Sequence, residues 1–134
     1  MNPETRASKR YRKKLPAGCH HIRVENPACP GTPDLNYCHQ GLEGWIEFKQ
    51  VKSLPKRPGT PVFTGALRPE QILWHIKRVR SDGRTFICGY VEETDEFFLI
   101  PGKYAQEFND MCLERLKVLN RPMEALWEAL STGC

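Results

Sequence analysis

Gly44-Trp45-Ile46-Glu47-Phe48-Lys49-Gln50-Val51 is the stretch on which the reading of this chain turns. Side chains of an extended strand alternate between two faces. Trp45, Glu47, Lys49 and Val51 therefore share one side, and Ile46, Phe48 and Gln50 the other. Just upstream, Gly31-Thr32-Pro33-Asp34-Leu35 runs into a second strand candidate, Asp34 to Cys38. Gln40-Gly41 marks a turn between the two. They are expected to pair as a hairpin, which could bring Asp34 beside Glu47 and Lys49.

Two carboxylates and one ammonium in a single cleft suit phosphodiester hydrolysis. The phosphodiester is anionic and repels a nucleophile. A divalent cation offsets that charge and lowers the pKa of a bound water. Mg²⁺ takes hard oxygen ligands and keeps several waters. Asp34 and Glu47 supply carboxylates, and the Phe48 backbone carbonyl could add a third protein oxygen. Lys49 could orient the attacking water, help to deprotonate it, or stabilise charge in the transition state. An E-x-K spacing alone is common in charged proteins. It gains weight here because the aspartate follows a proline at a strand start and the E-x-K lies in the best strand.

The rest of the chain alternates helices and strands. Residues 3 to 14 have helix-friendly composition, with a start near Asn2 or Pro3 and a thin apolar face, so weak packing or a partner is expected. His20 to Val24 reads as a short strand, and residues 26 to 33 as an irregular loop. Residues 52 to 68, rich in proline, glycine and lysine, read as a long functional or mobile connection or a plain surface excursion. Pro69 to Arg80 is predicted to be a helix whose Ile72, Leu73, Ile76 and Val79 pack on the sheet. Gln71, His75 and Arg78 form a second stripe on it. Arg84 to Val91 and Glu96 to Ile100 are expected to form a hairpin. Lys103 to Leu119 reads as one helix. A last short helix follows Asn120 and Pro122, with Met123, Leu126, Trp127 and Leu130 as its apolar stripe; core closure is preferred to a subunit contact. The order predicts an α/β fold around one sheet.

The chain has 134 residues, enough for one domain with a real core. No apolar run is long enough to span a membrane. The N-terminus is polar and basic, unlike a secretory signal, and a cytoplasmic location is expected. Net charge is +4 and the pI about 8.8. Basic residues crowd the start, with Arg10, Lys13 and Lys14, and the middle, with Lys52, Lys56, Arg57 and Arg68. Separated basic patches fit a polyanionic partner such as nucleic acid. Cys19-His20-His21 and Cys38-His39 lack the spacing of a zinc site, and most of the six cysteines read as reduced core or surface thiols.

Pro33-Asp34, Glu47-Phe48-Lys49 and the helix opening Pro69-Glu70-Gln71-Ile72 together resemble the PD-(D/E)xK nuclease superfamily. Within it the chain looks most like the VRR-NUC and Holliday-junction-resolvase-like branch. The matching runs are Gly31-Thr32-Pro33-Asp34-Leu35, Trp45-Ile46-Glu47-Phe48-Lys49 and Pro69 to Trp74, preceded by Ile22 to Asn26. The resemblance implies a restriction-endonuclease-like core, a central mixed β-sheet of roughly four to five strands flanked by helices. It covers about residues 3–100, leaving 101–134 as a C-terminal helical extension of a single nuclease domain. It implies Asp34, Glu47, Lys49 and Gln71 as catalytic residues. A Mg²⁺ or Mn²⁺ cofactor would sit on Asp34, Glu47 and the Phe48 carbonyl, and an N-terminal-helix glutamate near the metal would be Glu4, with Glu25 its competitor. The implied partner is branched or otherwise structured DNA, cut in recombination or repair, with a homodimer as one form. A phage-encoded nuclease is also of this size, and would act in the host cytoplasm. Phosphate contacts are expected from Arg10, Lys13, Lys14, Lys52, Lys56, Arg57, Arg68, His75 and Arg78.

Two rivals accompany this reading. A site-specific nuclease of restriction or homing type would need base-edge contacts in the major groove, which the 52 to 68 segment could offer. A non-catalytic DNA-binding module would have no need of the Asp34, Glu47 and Lys49 trio.

Overall fold

The computed structural model describes residues 5–26, 28–122 and 126–132. One sheet holds five strands in chain order: β1 His20–Arg23, β2 Leu35–His39, β3 Leu42–Val51, β4 Thr85–Val91 and β5 Glu96–Pro101. β3 and β4 run parallel, joined through helix α2, Pro69–Arg80. The other neighbours are antiparallel. The expected mixed α/β sheet is therefore present. The β2–β3 turn sits at Gln40 and Gly41, both at positive φ, the backbone that lets a two-residue turn follow the strand twist.

The alternation along β3 divides the molecule into two packed layers. Ile46 and Phe48 enter a core with Tyr37, Phe86, Tyr90 and Phe97. That core is covered by Ala7 and Tyr11 of α1, Arg6–Arg12, and by Leu126, Ala129 and Leu130 of α5, Leu126–Thr132. On the opposite face Val62, Phe63, Ile87, Phe98, Phe108 and Leu116 form a second core. β4 is buried along its whole length because both of its faces are covered.

Several expectations need correction. The thin apolar face of α1 does not pack weakly: Tyr11 is fully buried and meets Phe48 and Phe97 edge-on, at centroid distances of 5.7 and 5.5 Å. Lys103 to Leu119 is not one helix. A 3₁₀ turn at Gly102–Tyr104 leads into α3, Ala105–Phe108, and the chain then breaks before α4, Leu113–Leu119. Asn109 holds the break, because its side chain accepts from Leu67 N–H and donates to Leu67 C=O, each at 2.8 Å.

Those bonds also explain residues 52 to 68. Val62, Phe63 and Leu67 are buried, Val62 N–H donates to Met111 C=O, and Pro61 bridges Cys112. The second half of the segment is thus anchored, and Lys56 and Arg57 remain on an exposed first half. Residues after 101 supply both cores, and Tyr37 Oη donates to Leu130 C=O at 2.8 Å. Trp127 packs beside His39, so α5 closes the core. Asn2, Pro3, Glu4 and Met123 lie outside the described residues.

Candidate active site

Asp34 stands where β1, β2 and β3 converge. Val24 N–H donates to the Asp34 carbonyl at 2.7 Å, which ties the segment after β1 to the start of β2. The Asp34 carboxylate accepts from Phe48 N–H at 2.9 Å. β2 pairs with β3 only as far as Leu35 opposite Ile46, so the strands part at the site. A strand residue directs its N–H and C=O to the same side. The Phe48 carbonyl therefore leaves the strand on the side that holds Asp34.

The approach to Asp34 depends on one glycine. Gly31 has a φ of +95°, and a Cβ there would lie 2.4 Å from Glu70 C=O in the first turn of α2. Only glycine lets the loop pass that close to the helix. Contact between loop and helix sets the entry of Pro33-Asp34.

Glu47 is buried, at 2% exposure, on the face of β3 that α2 covers. Its Oε2 accepts from Gln71 Nε2 at 3.3 Å and lies 3.5 Å from Lys49 Nζ. Its Oε1 is buried with no hydrogen-bond partner. Burial pushes the Glu47 carboxyl well above its ordinary range, the neighbouring Asp34 charge pushes the same way, and Lys49 opposes them. A buried carboxylate with an open oxygen, beside a second carboxylate and a backbone carbonyl, is a donor set that suits a hard divalent cation. Among the described residues no group of three or more His, Cys, Asp and Glu side chains gathers, so waters would complete such a shell.

Gln71 is 5% exposed, not the ordinary surface residue of a first turn. Its Oε1 accepts from Arg68 N–H at 2.9 Å, one arm of a capping box. With the oxygen so engaged, the amide nitrogen is left for Glu47. α2 meets the sheet through Gln71 and His75, while Ile72, Ile76 and Val79 are half-buried and Leu73 is exposed. The polar stripe faces inward because the sheet beneath carries Glu47, Lys49 and Thr85. Of the apolar residues expected to pack there, Ile72 reaches the second core from a half-buried position and Leu73 faces water.

His75 has no surface to offer a phosphate. It is fully buried, its Nδ1 is 2.8 Å from Thr85 Oγ1, and burial lowers its pKa to about 4, helped by the Lys49 charge. Buried so, it cannot make the phosphate contact expected of it. Thr85 and Trp74 are the neighbours that sequence reasoning missed; only the strand register could have placed Thr85 under α2.

The other basic residues lie at or near the surface. Lys13, Lys14, Lys52, Lys56, Arg57 and Arg68 are exposed, and Arg78 is half-buried. Arg10 is engaged by Asp95 at 2.7 Å, so the acidic turn offsets part of the N-terminal basic cluster. Arg68 lies 3.1 Å from Glu70. Glu25 is exposed, follows β1 and pairs with Arg23 at 3.4 Å, as a loop residue would. Cys19, Cys29, Cys38, Cys88 and Cys112 are free thiols. No helix among the described residues is long and apolar enough to cross a membrane.

No family model and no curated protein sequence matches the chain. Among solved structures it is similar to Hjc, a Holliday junction resolvase from the archaeal hyperthermophile Archaeoglobus fulgidus. The two superpose with a TM-score of 0.57 at 17% sequence identity, over 84% of this chain and 89% of that one. The likeness is one of fold. Both share a mixed sheet flanked by helices, the architecture expected from the sequence of this chain.

Proposed function

We propose that this chain is a metal-dependent DNA endonuclease that selects branched or junction DNA, acting in recombination or repair. The observation that carries the reading is Glu47, buried among Asp34, Lys49 and Gln71 with one carboxylate oxygen open. A buried carboxylate that is only partly compensated is costly to a fold, and a site that takes up a cation gives it a purpose. A module that only binds DNA has no such need.

Asp34, Glu47 and the Phe48 carbonyl would hold Mg²⁺ or Mn²⁺, which supplies charge neutralisation at the phosphate and a water of lowered pKa. Lys49 sits at the mouth of the site, 18% exposed, where its ammonium can orient a water or stabilise charge on the phosphoryl oxygens. Gln71 fixes the Glu47 carboxylate through its amide. Hydrolysis is in line, and the chain's exposed lysines and arginines grip the backbone on either side. Such contacts read shape and charge, not sequence.

The test is cleavage of linear, flapped and four-way DNA with Mg²⁺ or Mn²⁺. Preference for branched substrates supports the reading, and a fixed sequence cut on linear DNA replaces it with the restriction-type alternative. DNA binding should fall steeply with salt, and a flat response contradicts phosphate tracking.

A further inference from the structure

A cleft of about 520 Å³ opens between the Cys29-Pro30 loop and α2, outside the catalytic cluster. This volume is in the range of small-molecule sites. Pro30, Leu73 and Trp74 give it an apolar wall, with Leu73 half exposed to water. Lys77 and Arg78 give it positive charge, and the one carboxylate among its described lining residues, Glu70, is paired with Arg68.

Arg78 is held in an unusual way. Its guanidinium lies over two indoles, 4.6 Å from the centre of Trp74 and 5.5 Å from that of Trp45. The two indoles meet edge-on at 5.4 Å. Cation–π contact of this kind fixes the rings and leaves the cluster positively charged. Trp45 belongs to the same face of β3 as Glu47, about 7 Å along the strand. A continuous row of aromatic and cationic groups therefore links the cleft to the strand that carries the catalytic carboxylate. The loop that forms the other wall runs through Gly31 into Asp34.

We infer that the cleft of Pro30, Leu73, Trp74, Lys77 and Arg78 is a docking site for an unpaired nucleobase of DNA, stacked on Trp74 with its phosphates met by Lys77 and Arg78. This rests on the nuclease reading and names what makes the substrate structured: a base unstacked at a branch point beside the scissile bond. The chemistry fits this occupant. Bases offer a π-face whatever their identity, and stacking next to cationic side chains is how proteins hold single strands without reading sequence. A regular duplex keeps its bases stacked and has nothing to place there.

Intrinsic tryptophan fluorescence tests this on the full chain, with chelator present to prevent cleavage. Titration with a short oligothymidylate is expected to quench the emission, and a blunt duplex of equal length is not. Trp74→Leu should remove most of the quenching and weaken oligothymidylate binding by at least about fivefold, while duplex affinity stays at its wild-type value. Lys77→Glu, at an exposed position, should weaken oligothymidylate binding in the same direction, and it decides the matter with the wild-type titration should Trp74→Leu fail to fold. Absence of quenching, or equal losses for single strand and duplex, overturns the assignment. So does a cleft whose variants change only self-association. Quenching without cleavage of any DNA keeps the docking site and rejects the nuclease reading; cleavage without quenching does the reverse.

Discussion

The Gln71 amide is shared between two elements: its oxygen caps α2 at Arg68 N–H, and its nitrogen holds Glu47 Oε2 on β3 at 3.3 Å. The start of the crossover helix and the orientation of the buried carboxylate are thereby one structural unit. Gln71→Ala should lose both, costing about 1 kcal/mol through the cap. Cleavage should fall about 10- to 100-fold, as when partners of metal ligands are removed. Gln71→Glu separates the roles, because glutamate also serves a capping box but sets a second charge against Glu47. Circular dichroism should show that variant's helix retained, while cleavage assays show the loss.

Glu47 is expected to weaken the fold that carries it. Its folded carboxyl titrates well above the ordinary 4.5, so over that interval the folded state keeps a proton that the unfolded chain has released. Stability from this group is therefore lost as pH rises through the interval. Glu47→Gln removes the penalty and still accepts from Gln71. It should abolish cleavage and raise the neutral-pH Tm by about 2–5 °C. A lower Tm would show that the Lys49 contact outweighs burial.

His75 has the opposite sign. Its folded pKa of about 4 lies below the ordinary 6.5, so protons go first to the unfolded state. Stability should fall as pH drops from 6.5 toward 4. His75→Gln, which keeps a polar partner for Thr85, should flatten that slope. Melting curves in a Glu47→Gln background read it without the opposing carboxyl.

Asn109→Ala should release Leu67. Two hydrogen bonds to buried backbone are lost, at about 1 kcal/mol or more each. The effect should be local, with faster amide exchange over residues 61–68 and slower change in β4.

Much of this molecule could be read from residue pattern. The alternation of β3, the Gln40-Gly41 turn and the proline start of α2 each act over a few residues, so strands, hairpin and helix fell where expected. What failed depended on distant partners. Apolar spacing favoured Ile72 and Ile76 for the buried face of α2, but Glu47, Lys49 and Thr85 lie beneath its centre, so Gln71 and His75 are the buried pair and Ile72 meets the second core only from a half-buried position. Nothing local marks the break at Asn109, since its cause is Leu67, 42 residues away. The meeting of Glu47 and Lys49 was legible because the strand period puts both on one face. The open oxygen of Glu47 and the stacking of Arg78 on Trp45 and Trp74 are tertiary facts.

Asp34, Glu47 and Lys49 are expected to act as one hydrolytic site. The most direct measurement is cleavage of a four-way junction with Mg²⁺ by the wild type and by Asp34→Asn, Glu47→Gln and Lys49→Ala, with junction binding followed in parallel. Cleavage should vanish in all three while binding persists. Full cleavage by any one of them would contradict the site.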